Sequence, residues 1–238
     1  MEPALKFENA GKRYGKSVVF GNLEFQVERG SFLGLAGVNG AGKTTLIKCL
    51  LDFCVLDEGE ITIFDIPHVE SRARTRLAYL PERFNPPGFL WGRDFLDLSL
   101  KLHGIDPDSA AIFEMLKELD LDRDALEKPI KALSKGMAQK LGLAACFLSE
   151  KELLVLDEPM SGLDPKARAL VKMKLLKLKD AGKTLLFTSH SLLEMSELCD
   201  RMAVLHEGKL SFLGSPDELS SISQKKSIEQ AFLTCIGG

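Results

Sequence analysis

Ser31-Phe32-Leu33-Gly34-Leu35-Ala36-Gly37-Val38-Asn39-Gly40-Ala41-Gly42-Lys43-Thr44-Thr45 reads as a strand, a glycine-rich turn and the start of a helix. The apolar run up to Ala36 has the length of a buried strand, and the glycines break it where the chain must turn sharply. The spacing from Gly37 to Thr44 fits GxxxxGK[ST], between a buried strand and a helix that begins near Gly42. In that arrangement Gly37, Asn39, Gly40, Ala41, Gly42 and Thr45 present backbone N–H groups to phosphate oxygens. The helix N-terminus adds partial positive charge, Lys43 reaches the β- and γ-phosphates, and the Thr44 hydroxyl ligates Mg²⁺.

Working outward, Leu153-Leu154-Val155-Leu156 and Thr184-Leu185-Leu186-Phe187-Thr188 are two more apolar strands, separated by a helix predicted from Pro165 to Lys179. Continuous apolar strands alternating with helices indicate a parallel sheet covered on both faces. Asp157 and Glu158 follow the first of these strands directly, at the end where open parallel sheets present their ligands. Asp157 is the expected Mg²⁺ ligand, directly or through water, and Glu158 the expected general base for an attacking water. Upstream, Leu5 to Glu8, Val18 to Phe20 and Leu23 to Val27 read as an antiparallel meander broken at Gly15, Gly21, Asn22 and Gly30. Glu60 to Phe64 and Leu77 to Leu80 are further strands. Residues 83–150 read as a helical subdomain inserted into the α/β core, entered through the proline- and aromatic-rich loop Arg83 to Trp91. A hairpin turning at Glu207-Gly208 and a helix from Ser227 to Thr234 complete the C-terminal region, about 200–238.

The 238 residues carry 31 Lys and Arg against 34 Asp and Glu, a net charge of -3, which argues against a nucleic-acid partner. Cys49, Cys54, Cys146, Cys199 and Cys235 are odd in number and form no CxxC pair, so they are expected as small core residues of a protein in a reducing compartment. The N-terminus has no long apolar stretch and is not expected to be a secretory signal. The run Leu141 to Leu148 falls far short of the roughly 20 residues a membrane span requires. No repeat is visible, and one domain over 1–238 is the expected organisation.

The order of Tyr14, the Gly37 to Thr45 loop, Tyr79-Leu80-Pro81-Glu82, Leu133-Ser134-Lys135-Gly136-Met137, Leu156-Asp157-Glu158-Pro159, Ser161-Gly162-Leu163-Asp164-Pro165 and Thr188-Ser189-His190 resembles the ATP-binding cassette (ABC) of ABC transporters. The resemblance runs from Leu5 to the terminal helix. It implies a P-loop NTPase fold of ABC ATPase type, with a mainly parallel core sheet, an antiparallel β subdomain and a helical subdomain. It implies that Tyr14 stacks on adenine, that His190 senses the γ-phosphate in the catalytic centre with Lys43, Glu82 and Glu158, and that Glu82, Thr44 and Asp157 surround Mg²⁺. Ser134 and Gly136 would contact ATP held by a second cassette, and Asp164 would communicate across that dimer.

Two departures stand out. Lys135 and Met137 replace the glycine and glutamine of the commonest LSGGQ signature, and Glu82 stands where many members have glutamine. A glutamine both donates and accepts, whereas an ionised glutamate only accepts. This combination is similar to cassettes of drug, peptide or polysaccharide exporters. The implied function is the ATPase subunit of an exporter, cytoplasmic and peripheral on the membrane through a permease, with a second cassette as homodimer or paralogue. The segment Phe84 to Trp91 is expected to line the groove that receives a permease helix. A non-transport ABC ATPase of DNA repair or translation, or a weakly hydrolysing regulator, are the alternatives. The former usually carries coiled-coil insertions, zinc cysteines or a second cassette, which this sequence lacks. From the short stretch after the last hairpin, the long regulatory tail of some sugar and metal importers is not expected.

Overall fold

The computed structural model describes residues 2–222 and 227–237. Two sheets form it. Strands β1 (Leu5–Tyr14) and β2 (Ser17–Val27) make a long antiparallel hairpin, with β4 (Glu58–Ile63) and β5 (Ile66–Pro67) on the other side of β1, giving the order β2-β1-β4-β5. The second sheet contains β3 (Phe32–Ala36), β6 (Leu77–Leu80), β7 (Leu153–Leu156), β8 (Thr184–Thr188), β9 (Arg201–His206) and β10 (Lys209–Gly214), in the order β10-β9-β3-β8-β7-β6. Its five inner and β6-side strands run parallel, and only β10 is antiparallel to its neighbour. The mainly parallel core and the antiparallel subdomain are therefore as expected.

Alternation along the parallel strands feeds two cores. Leu33, Leu35, Leu153, Val155 and Leu186 face the antiparallel sheet and helix α1 (Lys43–Leu50), where Phe7 stacks on Phe25 at 4.3 Å. Phe32, Leu154, Leu156, Leu185 and Phe187 face the remaining helices. These are α2 (Gly92–Leu102), α3 (Ser109–Glu118), α4 (Lys135–Leu148), α5 (Pro165–Asp180), α6 (Leu192–Leu198), α7 (Pro216–Ser221) and α8 (Ile228–Cys235). A side-chain oxygen caps each of α3 to α8: Asp108, Ser134, Asp164, Ser191, Ser215 and Ser227.

Three expectations need correction. Gly21-Asn22 does not break a strand: β2 runs through it, with Asn22 at φ 51° as an irregularity where the register with β1 shifts. Likewise β1 continues past Glu8 to Tyr14, because its bulges keep it paired with β2 to Tyr14 and with β4 as far as Gly11. Helices α6 and α7 were not expected, and both are short enough for their apolar periodicity to be lost. The hairpin turn does fall at Glu207-Gly208, with φ 46° and 73°, the left-handed pair that matches strand twist.

Candidate nucleotide site

The turn after β3 is shaped by backbone geometry that side chains could not share. A Cβ on Gly37 would stand 2.4 Å from the Leu205 carbonyl oxygen, and Gly42 has φ 105° with Val19 3.0 Å from where a Cβ would lie. This turn delivers the N-terminus of α1 with no side-chain cap. Its first helical bond runs from the Leu46 N–H to the Gly42 carbonyl, so the N–H groups of Lys43, Thr44 and Thr45 have no acceptor within the helix. Helix α2 likewise begins without a side-chain cap, but only the start of α1 lies in a cleft with Lys43, and such an open helix end suits an anion.

Beside it, a chain of short hydrogen bonds links the first turn of α1 to the ends of β7 and β8. The Thr44 hydroxyl donates to Asp157 Oδ2 at 3.0 Å, the Thr188 hydroxyl donates to Asp157 Oδ1 at 2.6 Å, and the Glu158 N–H donates to Thr188 Oγ1 at 2.8 Å. Glu158 sits at φ 52°, a left-handed conformation that costs a non-glycine residue about 1 kcal/mol or more. The Thr188 hydroxyl and the His190 N–H, which donates to Glu158 Oε2 at 3.2 Å, hold it there. Glu158 Oε1 is buried with no hydrogen-bond partner, 3.5 Å from His190 Nε2. Burial pushes the Glu158 carboxyl above the usual glutamate range, against the pull of His190 and Lys43. Burial lowers the Lys43 ammonium, opposed by Glu158, Asp157 and Glu82. That ammonium donates to the Gly37 carbonyl at 2.7 Å and the Val38 carbonyl at 3.3 Å, folded over its own loop.

A cleft of about 210 Å³ gathers Asn39, Gly40, Ala41, Gly42, Lys43, Thr44, Thr45, Glu82, Asp157, Glu158 and His190, residues from five separate stretches of chain counting Val19. The donor set fits phosphate and a hard divalent cation. The open helix end and Lys43 suit a phosphate chain, and the Thr44 hydroxyl against the Asp157 carboxylate offers the oxygen ligands Mg²⁺ prefers. A matching family model, described as ABC transporter, covers residues 20–161. The chain belongs to the ABC transporter family.

Among relatives of this ABC cassette, an uncharacterized ABC transporter ATP-binding protein of Nostoc sp. is 40% identical over 208 residues, 86% of this chain and 62% of that protein. The Nod factor export ATP-binding protein I of Ralstonia nicotianae is 37% identical over 227 residues, 91% of this chain and 68% of that protein. The chain thus spans less than two thirds of the Nostoc protein and about two thirds of the Ralstonia one. The solved structure of an ATP binding subunit of an ABC transporter superposes with a TM-score of 0.89 at 27% identity, covering 98% of this chain and 99% of that one.

Not every expected site residue joins the cleft. Tyr14 is exposed and does not line it; its hydroxyl meets Cys54 Sγ at 3.5 Å and Lys12 Nζ lies 5.2 Å from its ring. Val19, not singled out from the sequence, forms that wall instead. Ser134 and Gly136 lie outside the cleft at the start of α4, where the Ser134 hydroxyl accepts the Met137 N–H at 3.2 Å. Asp164 also lies outside, its carboxylate accepting the Ala167 N–H at 2.9 Å. The stem of Lys135 lies along Gly162. Sequence reading also missed Thr188 as the hub of the Asp157–Glu158 network. Its only signal was a hydroxyl residue at the end of an apolar strand.

The expectation for Phe84 to Trp91 is corrected in part. Glu82 to Gly88 do line a groove of about 900 Å³, facing Ile130, Lys131, Leu133 and Lys135, but Phe89 and Trp91 do not. Trp91 pairs through its backbone with Pro129, immediately precedes α2 and is exposed. The cysteines are free and buried or half-buried, as expected of packing residues.

Proposed function

We propose that this chain is the ATP-hydrolysing subunit of an ABC exporter. The observation that carries the reading is the bond chain Thr44–Asp157–Thr188–Glu158, which brings an oxygen-ligand pair, a buried carboxylate and the open end of α1 to one cleft. The triphosphate lies along Gly40 to Thr45, with Lys43 leaving its loop carbonyls for the β- and γ-oxygens. Thr44 and Asp157, with Glu82 nearby, would hold Mg²⁺, which would supply charge neutralisation to the phosphate chain. Glu158 Oε1, lacking a hydrogen bond and raised in proton affinity by burial, accepts a proton from the attacking water as its oxygen bonds to the γ-phosphorus and the bond to ADP breaks. His190 braces the same carboxylate through its N–H and faces the γ-phosphate with its ring.

Ser134, Gly136 and Asp164 stand apart from this cleft, which supports their acting on the nucleotide of a second cassette. ATP then favours the closed pair because only that state makes both sets of contacts. Export, not import, follows the relative named for Nod factor export and the signature with Lys135 and Met137. Among the described residues no helix is long and apolar enough to cross a membrane, so contact with the bilayer runs through a permease. The groove beside Glu82 to Gly88 is its docking place, and the protein sits on the cytoplasmic face. Tyr14 contributes adenine stacking once it turns from Lys12 and Cys54. Glu158→Gln tests the reading: it should bind Mg·ATP, accumulate as a dimer in light scattering, and lose turnover by about 100-fold or more. Ordinary turnover by that variant removes Glu158 from the role.

A further inference from the structure

A circuit of hydrogen bonds and short backbone segments begins and ends at Glu158. The Glu158 carbonyl accepts the Ser161 N–H at 3.0 Å, and two residues on the Leu163 carbonyl accepts Arg168 Nε at 3.0 Å. The Arg168 guanidinium turns its other edge to Glu194 Oε1 at 3.5 Å. Glu194, 9% exposed, accepts the Ser189 hydroxyl at its Oε2 at 3.1 Å, and that hydroxyl in turn accepts the Ser191 N–H at 3.0 Å. Between Ser189 and Ser191 lies His190, whose N–H returns to Glu158 Oε2. The ring borders an open pocket of about 260 Å³ that Glu158 and His190 also line.

We propose that Arg168 and Glu194 are positioning residues that tie the Ser161–Asp164 turn to the Ser189–Ser191 turn, so that the placement of one sets the placement of His190 against Glu158. The chemistry of each link is directional. A guanidinium can donate to the Leu163 carbonyl and to a carboxylate at once in a fixed plane, which a lysine ammonium cannot reproduce. The buried Glu194 carboxylate has one oxygen for Arg168 and one for Ser189, so it transmits displacement instead of absorbing it. Asp164, at the end of the first turn, caps α5, the helix that carries Arg168. A push on that turn therefore reaches Arg168 through rigid backbone, and His190 through two side-chain bonds.

The same two helices are also joined by the ion pair Lys172–Glu197, one turn further along α5 and outside the ring. It separates positioning from simple cohesion of α5 and α6. The proposal rests on the ATPase reading for its consequence in turnover, but the ring is measurable without it. Hydrogen exchange of the His190 amide, read in the intact protein, should accelerate about tenfold or more in Arg168→Met and Glu194→Gln, and stay unchanged in Lys172→Met. Hydrolysis per bound nucleotide should fall about tenfold in the first two, with nucleotide Kd held within about twofold, because a displaced base costs rate and not binding. Arg168→Lys should not rescue, and the Arg168→Met, Glu194→Gln double variant should be no slower than either alone. Unchanged exchange at His190 in both ring variants, or equal acceleration in Lys172→Met, overturns the ring. A wild-type protein with no hydrolysis would instead overturn the ATPase reading and leave the exchange result to judge the ring.

Discussion

Thr188→Val is the sharpest test of how the site is built. Valine preserves the volume at a fully buried position and removes only the hydroxyl. Two bonds go with it: the 2.6 Å donation to the Asp157 carboxylate and the 2.8 Å acceptance of the Glu158 N–H. A hydrogen bond to a charged group is worth about 1.5–3 kcal/mol, and a buried N–H left unpaired costs about 1–3 kcal/mol. The N–H cannot find another acceptor cheaply, because Glu158 is fixed at φ 52° between β7 and the Ser161 turn. The expected loss is therefore about 3–5 kcal/mol, which for a chain of this size lowers Tm by roughly 10 °C. Urea denaturation followed by circular dichroism should show the midpoint falling at constant slope. Thr188→Ser keeps the hydroxyl and should lose only about 1 kcal/mol for the missing methyl. If Thr188→Val stays within about 0.5 kcal/mol of wild type, the hydroxyl is no hub, and the account of what holds Glu158 in its strained conformation is wrong.

The other expectations follow from the same geometry. Glu158→Gln should keep Mg·ATP binding and lose about 100-fold or more in turnover, measured as phosphate release. Arg168→Met and Glu194→Gln should slow hydrolysis and free the His190 amide, while Lys172→Met does neither. Burial raises the Glu118 carboxyl, but hydrogen bonds from Lys174 and Lys177 outweigh it and hold it below the usual glutamate range. Glu118→Gln should thus cost about 0.5–1 kcal/mol at neutral pH. That difference is full above the ordinary glutamate range and should disappear as acid carries the medium below the depressed value, when wild type too is protonated. Burial pushes the Cys49 thiol up to about 11 and Cys146 up to about 12, and Cys199 higher still. Iodoacetamide should therefore label half-buried Cys54 in the native protein before any of those three, as read by mass spectrometry of peptides.

Some of this protein is written in local sequence. An apolar run of strand length followed by Gly37 to Thr44 admits little except strand, phosphate loop and helix, because glycine alone tolerates the close approach to Leu205 and the left-handed turn at Gly42. Asp157 and Glu158 are legible for a related reason, since a short apolar strand of a parallel sheet presents the residues after its C-terminal end to the ligand cleft. Other features depend on which segments meet. Nothing near Thr188 in the sequence points to Asp157, thirty-one residues away, and the two meet only because β7 and β8 are paired in parallel. Val19 reaches the cleft because β2 passes beside Gly42, and Trp91, bridged to Pro129, falls outside the groove lining. Ser134 and Asp164 show the same limit. Their residue types fit a helix cap and a phosphate contact equally, and the fold alone places them as caps outside the cleft. Turn conformation and strand burial are decided by neighbours a few residues apart, so one chain segment suffices to read them. Hydrogen-bond partners across a sheet are set by strand order and register, which emerge only when the whole hydrophobic core has chosen its packing.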